Sequence, residues 1–171
     1  MVYQLSCYTL ILRRGKLQWN NCLVSECATV SWYEPSPMVT TSDHNELIDP
    51  VNLSLVEGSN ASLSWNFSLT SDLLFITVTI RLNSVKVGLI VPSTRLAVLE
   101  TPFQGRFNIS WIPNKATLVI FNMTDSEDKG EFSCEVAAVE VATSKTWVRK
   151  IQVNVVGKVH LWDLHFSLIF F

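Results

Sequence analysis

The stretch Asp128-Lys129-Gly130-Glu131-Phe132-Ser133-Cys134 restricts the possible fold more than any other part of the sequence. It follows a segment from Ala116 to Met123 in which Ala116, Leu118 and Ile120 recur at every second position. Alternation of this kind is typical of a strand that buries one face, and a glycine between two strands permits a tight turn. The two segments therefore predict two β-strands joined by a tight turn.

The rest of the central region repeats this pattern of short alternating or apolar runs separated by turn residues. We predict nine strands near residues 51–56, 61–68, 75–82, 85–91, 95–99, 106–111, 116–122, 130–138 and 145–155. Glu57-Gly58-Ser59-Asn60, Asn83-Ser84 and Pro113-Asn114-Lys115 are turn signals between them. Nine short strands with no helical periodicity between them indicate an all-β domain.

The region from 116 to 134 resembles the E-strand, E–F turn and F-strand of the immunoglobulin family, whose pattern is LxIxNV followed by DxGxYxC. The resemblance implies an immunoglobulin-like β-sandwich of the variable type, with two antiparallel sheets, Greek-key connections and about nine strands over residues 47–157. Leu118, Ile120 and Met123 would face inward. Arg106 resembles the family's arginine that pairs with the aspartate of the turn, here Asp128.

Two departures from the family pattern concern the core. Phe132 stands where the family has a tyrosine whose hydroxyl bonds the backbone, and Trp65 stands where the B-strand cysteine would pair with Cys134. Losing such a disulfide costs about 2–5 kcal/mol. The C-strand tryptophan of the family is also replaced, by Ile80. Our hypothesis is that Trp65 fills the volume left by both the disulfide and that tryptophan.

The two ends fall outside the resemblance. Residues 1–46 form an N-terminal extension or linker that we expect to be irregular, and residues 158–171 form a short hydrophobic tail. Neither a signal peptide nor a complete membrane anchor is evident. The ends are either native termini or those of an incomplete gene product. Of four cysteines, Cys7, Cys22 and Cys27 lie in the extension, and a Cys22–Cys27 bridge has the easiest geometry. Cys134 is then either a buried free thiol or bonded to the extension.

Five N-glycosylation sequons indicate a secreted or surface-exposed domain. They begin at Asn52, Asn60, Asn66, Asn108 and Asn122, all within the predicted sandwich. Asn66 and Asn108 alternate with apolar neighbours, so we expect both side chains to point outward. This pattern favours an extracellular or cell-surface location.

Several functional classes find no support in the sequence. The net charge of -2 provides no basic surface for nucleic acid, and the histidines and cysteines lack metal-ligand spacing. The sequence contains no motif of a catalytic nucleophile, metalloprotease or phosphate-binding loop. We therefore expect a chain that is not an enzyme and that uses no cofactor or metal.

The resemblance implies recognition of another protein, which could be a similar immunoglobulin-like domain. Variable-type domains commonly bind through the outer face of the sheet that contains strands C, F and G. The expected outward residues there are Thr77, Thr79, Arg81, Glu131, Ser133, Glu135, Lys150 and Gln152. Trp147 is either an exposed anchor for a partner or part of the core. Three functions remain: a cell-surface adhesion or receptor ectodomain, a soluble secreted binder or decoy, and an intracellular structural module.

Overall fold

The computed structural model describes residues 28–140 and 142–157 with their side chains, and only the backbone of residues 11–13 and 16–18. The predicted C-terminal tail, Cys7, Cys22 and Cys27 lie outside the described residues. No helix in the described part of the chain is long and apolar enough to span a membrane.

Thirteen strands are present in this part of the chain. They are β1 (Ile11–Arg13), β2 (Lys16–Gln18), β3 (Val30–Glu34), β4 (Val39–Thr41), β5 (Val51–Val56), β6 (Ala61–Leu69), β7 (Leu73–Leu82), β8 (Val85–Val91), β9 (Leu96–Leu99), β10 (Phe107–Ile112), β11 (Lys115–Ile120), β12 (Gly130–Glu140) and β13 (Thr143–Val156). One helical turn, α1, covers Asp125–Asp128, and a 3-10 turn covers Thr101–Phe103.

Eleven of these strands, β3 to β13, form an immunoglobulin-like β-sandwich, so the predicted fold class is confirmed; β1 and β2 pair with each other in a separate two-stranded sheet. One sheet has five strands in the order β10-β11-β6-β3-β4, and the other has six in the order β5-β13-β12-β7-β8-β9. All nine predicted strands are present, with ends displaced by at most two residues. The predicted antiparallel pairing holds for every strand pair of the two sheets except β5 and β13, which run in parallel.

The predicted start of the domain at residue 47 was too late. Strand β3 pairs with β6 through Val30↔Leu69 and Trp32↔Phe67, and β4 pairs with β3. Val30 and Trp32 are completely buried, and the rings of Trp32 and Phe67 lie 5.2 Å apart. The sandwich therefore begins at residue 28, within the region 1–46 that we had expected to be an irregular extension, because the alternating apolar side chains of Ala28, Val30 and Trp32 complete the core.

The core lies between the two sheets and is lined mainly by alternating residues of their strands. Trp32, Trp65 and Trp147 are its largest side chains, and each is at most 1% exposed. None of their indole N–H groups has a hydrogen-bond partner among the described residues. Trp147 therefore belongs to the core and is not an exposed anchor.

Trp65 and Cys134 occupy the positions at which the family resemblance led us to look for a disulfide. Both are completely buried. Cys134 lies opposite Ile80 on the neighbouring strand, and Trp65 lies opposite Ala116. Cys134 forms no disulfide with a described residue. The indole ring of Trp65 and the small side chains of Cys134 and Ala116 therefore belong to one buried hydrophobic cluster.

The turn before β12 contains the ion pair that the sequence suggested. Arg106 Nη2 lies 2.6 Å from Asp128 Oδ2, and Asp128 is completely buried. Asp128 Oδ2 also accepts a 2.8 Å hydrogen bond from the backbone N–H of Thr124. Gly130 has φ 145°, which L side chains rarely adopt, and Phe132 is completely buried. These contacts close the turn without a tyrosine hydroxyl.

Candidate recognition face

The eight residues expected on the binding face lie together on the outer side of the six-stranded sheet. We call this surface the outer face: the exposed side of β13, β12, β7, β8 and β9. Its register places Ser133 between Arg81 and Lys150, Glu135 beside Thr79, and Glu131 beside Gln152. Thr77 lies opposite Ala137. Seven of the eight are half-buried, whereas Ser133 is buried at 7% exposure.

The charges of this face are paired with one another around Ser133. Arg81 Nε lies 2.9 Å from Glu135 Oε1, and Lys150 Nζ lies 3.1 Å from Glu131 Oε1. Arg81 also donates to the carbonyl oxygen of Ser84 at 3.2 Å. Partly exposed pairs of this kind contribute at most about 1 kcal/mol each to stability. Their main effect is to leave this part of the face without excess charge.

Towards β8 and β9 the outer face becomes apolar. Thr79, Leu89 and Val98 form a cross-strand row on adjacent strands. Leu96 and Val98 are 53% and 47% exposed, and Leu74 on β7 is 70% exposed. Clustered exposed apolar side chains are uncommon on proteins that bind nothing there.

An unexpected segment borders the charged part of the outer face. Residues 35–50, which we call the crossing segment, pass from β3 in one sheet to β5 in the other and include β4. Its residues 44–50 form one wall of an open groove of about 560 Å³. Ser133 and Val148 belong to the floor, with Arg81, Glu131, Glu135 and Lys150 around them. The face is thus a groove here rather than a flat sheet.

Arg149 holds the crossing segment in place from inside the sandwich. It is 1% exposed and donates hydrogen bonds to the carbonyl oxygens of Asp49 at 3.2 Å, Pro35 at 3.2 Å and Pro37 at 3.1 Å. No carboxylate in the described part of the chain pairs with it. Burial lowers the pKa of its guanidinium. The rings of His44 and Trp147 meet edge to face in the same region, with centroids 6.4 Å apart.

The five sequons are distributed away from the central strands of the outer face. Asn66 and Asn108 lie on the five-stranded sheet, opposite Lys115 and Val119 respectively. Asn60 and Asn122 meet in adjacent turns, where the backbone N–H of Asn122 donates to Asn60 Oδ1 at 3.0 Å. Asn52 lies on the edge strand β5, beside Gln152 of the outer face. Four of the five are exposed; Asn66 is half-buried.

Asn66 is covered by an ion pair between its two neighbouring strands. Glu34 and Lys115 are its cross-strand partners on either side, and Lys115 Nζ lies 2.8 Å from Glu34 Oε2. The two side chains therefore meet across Asn66, which explains why this asparagine is less accessible than its position on the outer side of the sheet suggested.

Sequence reasoning predicted the outward position of the eight residues in the sheet but missed the groove. The wall residues 44–50 show no periodicity, and their placement depends on Arg149, which points inward on a strand where apolar residues are expected. The alternation of Ala28, Val30 and Trp32 was the one sequence signal that the chain before residue 47 joins the sandwich.

Comparison with known proteins supports the fold and does not extend to a function. No family model matches the chain, and no curated protein matches it significantly. Among solved structures 1329 chains match significantly, so this architecture is shared too widely to indicate one ligand. One of them, the immunoglobulin-like murine CRIg, is 16% identical with a TM-score of 0.52. The match covers 63% of this chain and 93% of CRIg.

Proposed function

We propose that this chain is an extracellular recognition domain of the variable immunoglobulin type, without catalytic activity, that binds another protein through its outer face. Its two extra strands β8 and β9 beside β7 suit the variable type, which has such strands in the corresponding sheet. The domain serves a cell-surface adhesion or receptor protein; a soluble secreted binder is the alternative.

The position of the sequons is the observation that carries this proposal. Two lie on the opposite sheet, two in the turns where β6 begins and β11 ends, and one on the edge strand. None lies on β12, β7, β8 or β9. Glycans are bulky and keep a surface exposed to solvent. If the sequons are occupied, these four strands remain free for a partner, whereas a glycan on Asn52 would border β13 at Gln152.

The composition of the outer face fits a protein partner. Protein interfaces combine an apolar centre with a polar rim, and this face has the exposed Leu96 and Val98 beside the ion pairs of Arg81 and Lys150. Because those charges are paired, a protein surface can cover them without leaving an unmatched charge.

Glycan occupancy is the first test. The full chain, secreted from mammalian cells with a leader peptide supplied, is digested with an N-glycanase in heavy-oxygen water and analysed by peptide mass spectrometry. We expect label at Asn52, Asn108 and at least one of the adjacent Asn60 and Asn122. An unlabelled chain would contradict the extracellular assignment and favour the intracellular structural module.

A glycan placed on the outer face is the second test. Thr79→Asn with Arg81→Thr creates a new sequon in the centre of that face, whereas Thr117→Asn with Val119→Thr creates one on the opposite sheet. Both variants and the parent chain are multimerised and screened against an array of surface-protein ectodomains that includes the chain itself. We expect the first variant alone to lose every interaction of the parent. Equal binding by all three proteins would refute the proposed face.

A further inference from the structure

We propose that the groove beside the crossing segment accepts a basic side chain, lysine or arginine, of the partner protein. This inference rests on the proposed function, because it specifies what the outer face recognises. It also depends on a feature outside the sheet itself, the wall formed by residues 44–50.

The groove has more negative than positive groups. Glu46, Asp49, Glu131 and Glu135 line it, together with Arg81 and Lys150. Arg81 and Lys150 neutralise Glu135 and Glu131 in the ion pairs of the floor. Neither Glu46 nor Asp49 takes part in an ion pair with a described residue. Two carboxylates on the wall are therefore available to an incoming cation.

Ser133 gives an independent indication of a ligand. It lies on the groove floor at 7% exposure, and its hydroxyl makes no hydrogen bond with another described residue. Its oxygen therefore has an unused acceptor position on the groove floor. A neutral donor of the ligand, such as a backbone N–H, would satisfy the Ser133 oxygen, which can act as an acceptor, whereas the cation itself would lie at the wall, away from Arg81 and Lys150.

The remaining lining residues match the stem of a basic side chain. Leu47, Ile48 and Pro50 on the wall and Val148 on the floor are apolar. Lysine and arginine bury their methylene stems against apolar groups while the charged end stays polar. A short aliphatic stem along these residues would bring the cation to the carboxylates of the wall. An acidic side chain would be repelled by Glu46 and Asp49. A purely apolar side chain would leave both carboxylates without a partner.

The test uses small probes on the full chain, produced without glycans and labelled with ¹⁵N. N-acetyl-arginine amide and N-acetyl-lysine amide are titrated in separate NMR experiments, with N-acetyl-norleucine amide as the uncharged control. We expect saturable shifts of the Ser133, Val148 and Asp49 amides with a midpoint of about 1–10 mM, as suits so small a ligand. The norleucine probe should cause no saturable shift.

Variants locate the binding in the groove. Glu46→Gln with Asp49→Asn should weaken binding of the basic probe about fivefold, because exposed ion pairs each contribute only a few-fold. The control Glu57→Gln with Asp72→Asn neutralises two exposed carboxylates outside the groove and should leave the midpoint unchanged. Ser133→Ala, which removes one oxygen without adding volume, should also weaken binding.

Three results would overturn the inference: no saturable shift, equal shifts with norleucine amide, or an unchanged midpoint in the Glu46/Asp49 double variant. These outcomes are separable from failure of the proposed function. If a new glycan at residue 79 abolishes partner binding while the probes do not bind, only the groove inference fails. If the probes bind in the groove but partner binding survives that glycan, the proposed function fails.

Discussion

Replacing Arg149 by methionine would test whether one buried cation fixes the crossing segment. Methionine has a comparable unbranched stem and can fill much of the same space, but it cannot donate the three hydrogen bonds to the carbonyl oxygens of Pro35, Pro37 and Asp49. Although burial lowers the pKa of this guanidinium, arginine remains charged at neutral pH. The substitution therefore removes both a charge and its three contacts.

The expected loss of stability follows from two opposing contributions. Hydrogen bonds of charged groups contribute about 1.5–3 kcal/mol each, so three such bonds at the lower value give about 4–5 kcal/mol. Methionine avoids the desolvation of a buried cation, which recovers part of this, and the freed carbonyl groups can turn to water. We expect the free energy of unfolding to fall by about 2–4 kcal/mol, within the total of about 5–15 kcal/mol for a domain.

Two measurements separate a local effect from a global one. Urea unfolding followed by tryptophan fluorescence gives the overall change, and hydrogen exchange gives protection along residues 35–50. Arg149→Lys should fall between the parent and the methionine variant, since an ammonium group cannot reproduce the fork of a guanidinium. If Arg149→Met kept the parent's urea midpoint and the exchange protection of the crossing segment, the anchoring role would be refuted.

Three further predictions concern the core and the turn before β12. Trp65→Ala should lower the free energy of unfolding by about 3–5 kcal/mol in urea titrations. Trp65→Cys should lower the melting temperature even if the new cysteine forms a disulfide with Cys134. A higher melting temperature in Trp65→Cys would show that Trp65 does not compensate for the missing disulfide. Burial raises the pKa of the Cys134 thiol. An unfolded thiol titrates near pH 8.5, so above that pH the folded chain binds more protons than the unfolded chain, and the free energy of unfolding should fall as pH rises. In Cys134→Val this part of the decline should vanish. An unchanged dependence of the unfolding free energy on pH in that variant would argue against a buried thiol. Gly130→Ala should destabilise more than Gly105→Ala, because both residues have positive φ but only the former would place a Cβ against the side chain of Asn83; equal melting temperatures would exclude that overlap.

The sequence predicted those parts of the structure whose pattern lies within a short run of consecutive residues. The nine strands of the predicted domain were recoverable because alternation is a property of consecutive residues, as in Leu63, Trp65 and Phe67 of β6. Strand β3 was missed because its alternation is short and is interpretable only once its partner β6 is known. The groove was beyond prediction because its wall is held by Arg149, about one hundred residues later in the chain.

The crossing segment and the missing disulfide bear on the same structural problem, which is how two sheets remain docked. A bridge between β6 and β12 would join the sheets through their centres, where this chain has Trp65 and Cys134. Here β3 belongs to one sheet and β5 to the other, and Arg149 on β13 fastens the chain between them at both ends, at Pro35 and at Asp49. The same contacts that couple the sheets also position the wall of the groove. Substitutions that loosen the sandwich at Arg149 should therefore alter recognition as well, whereas those at Trp65 should affect stability alone.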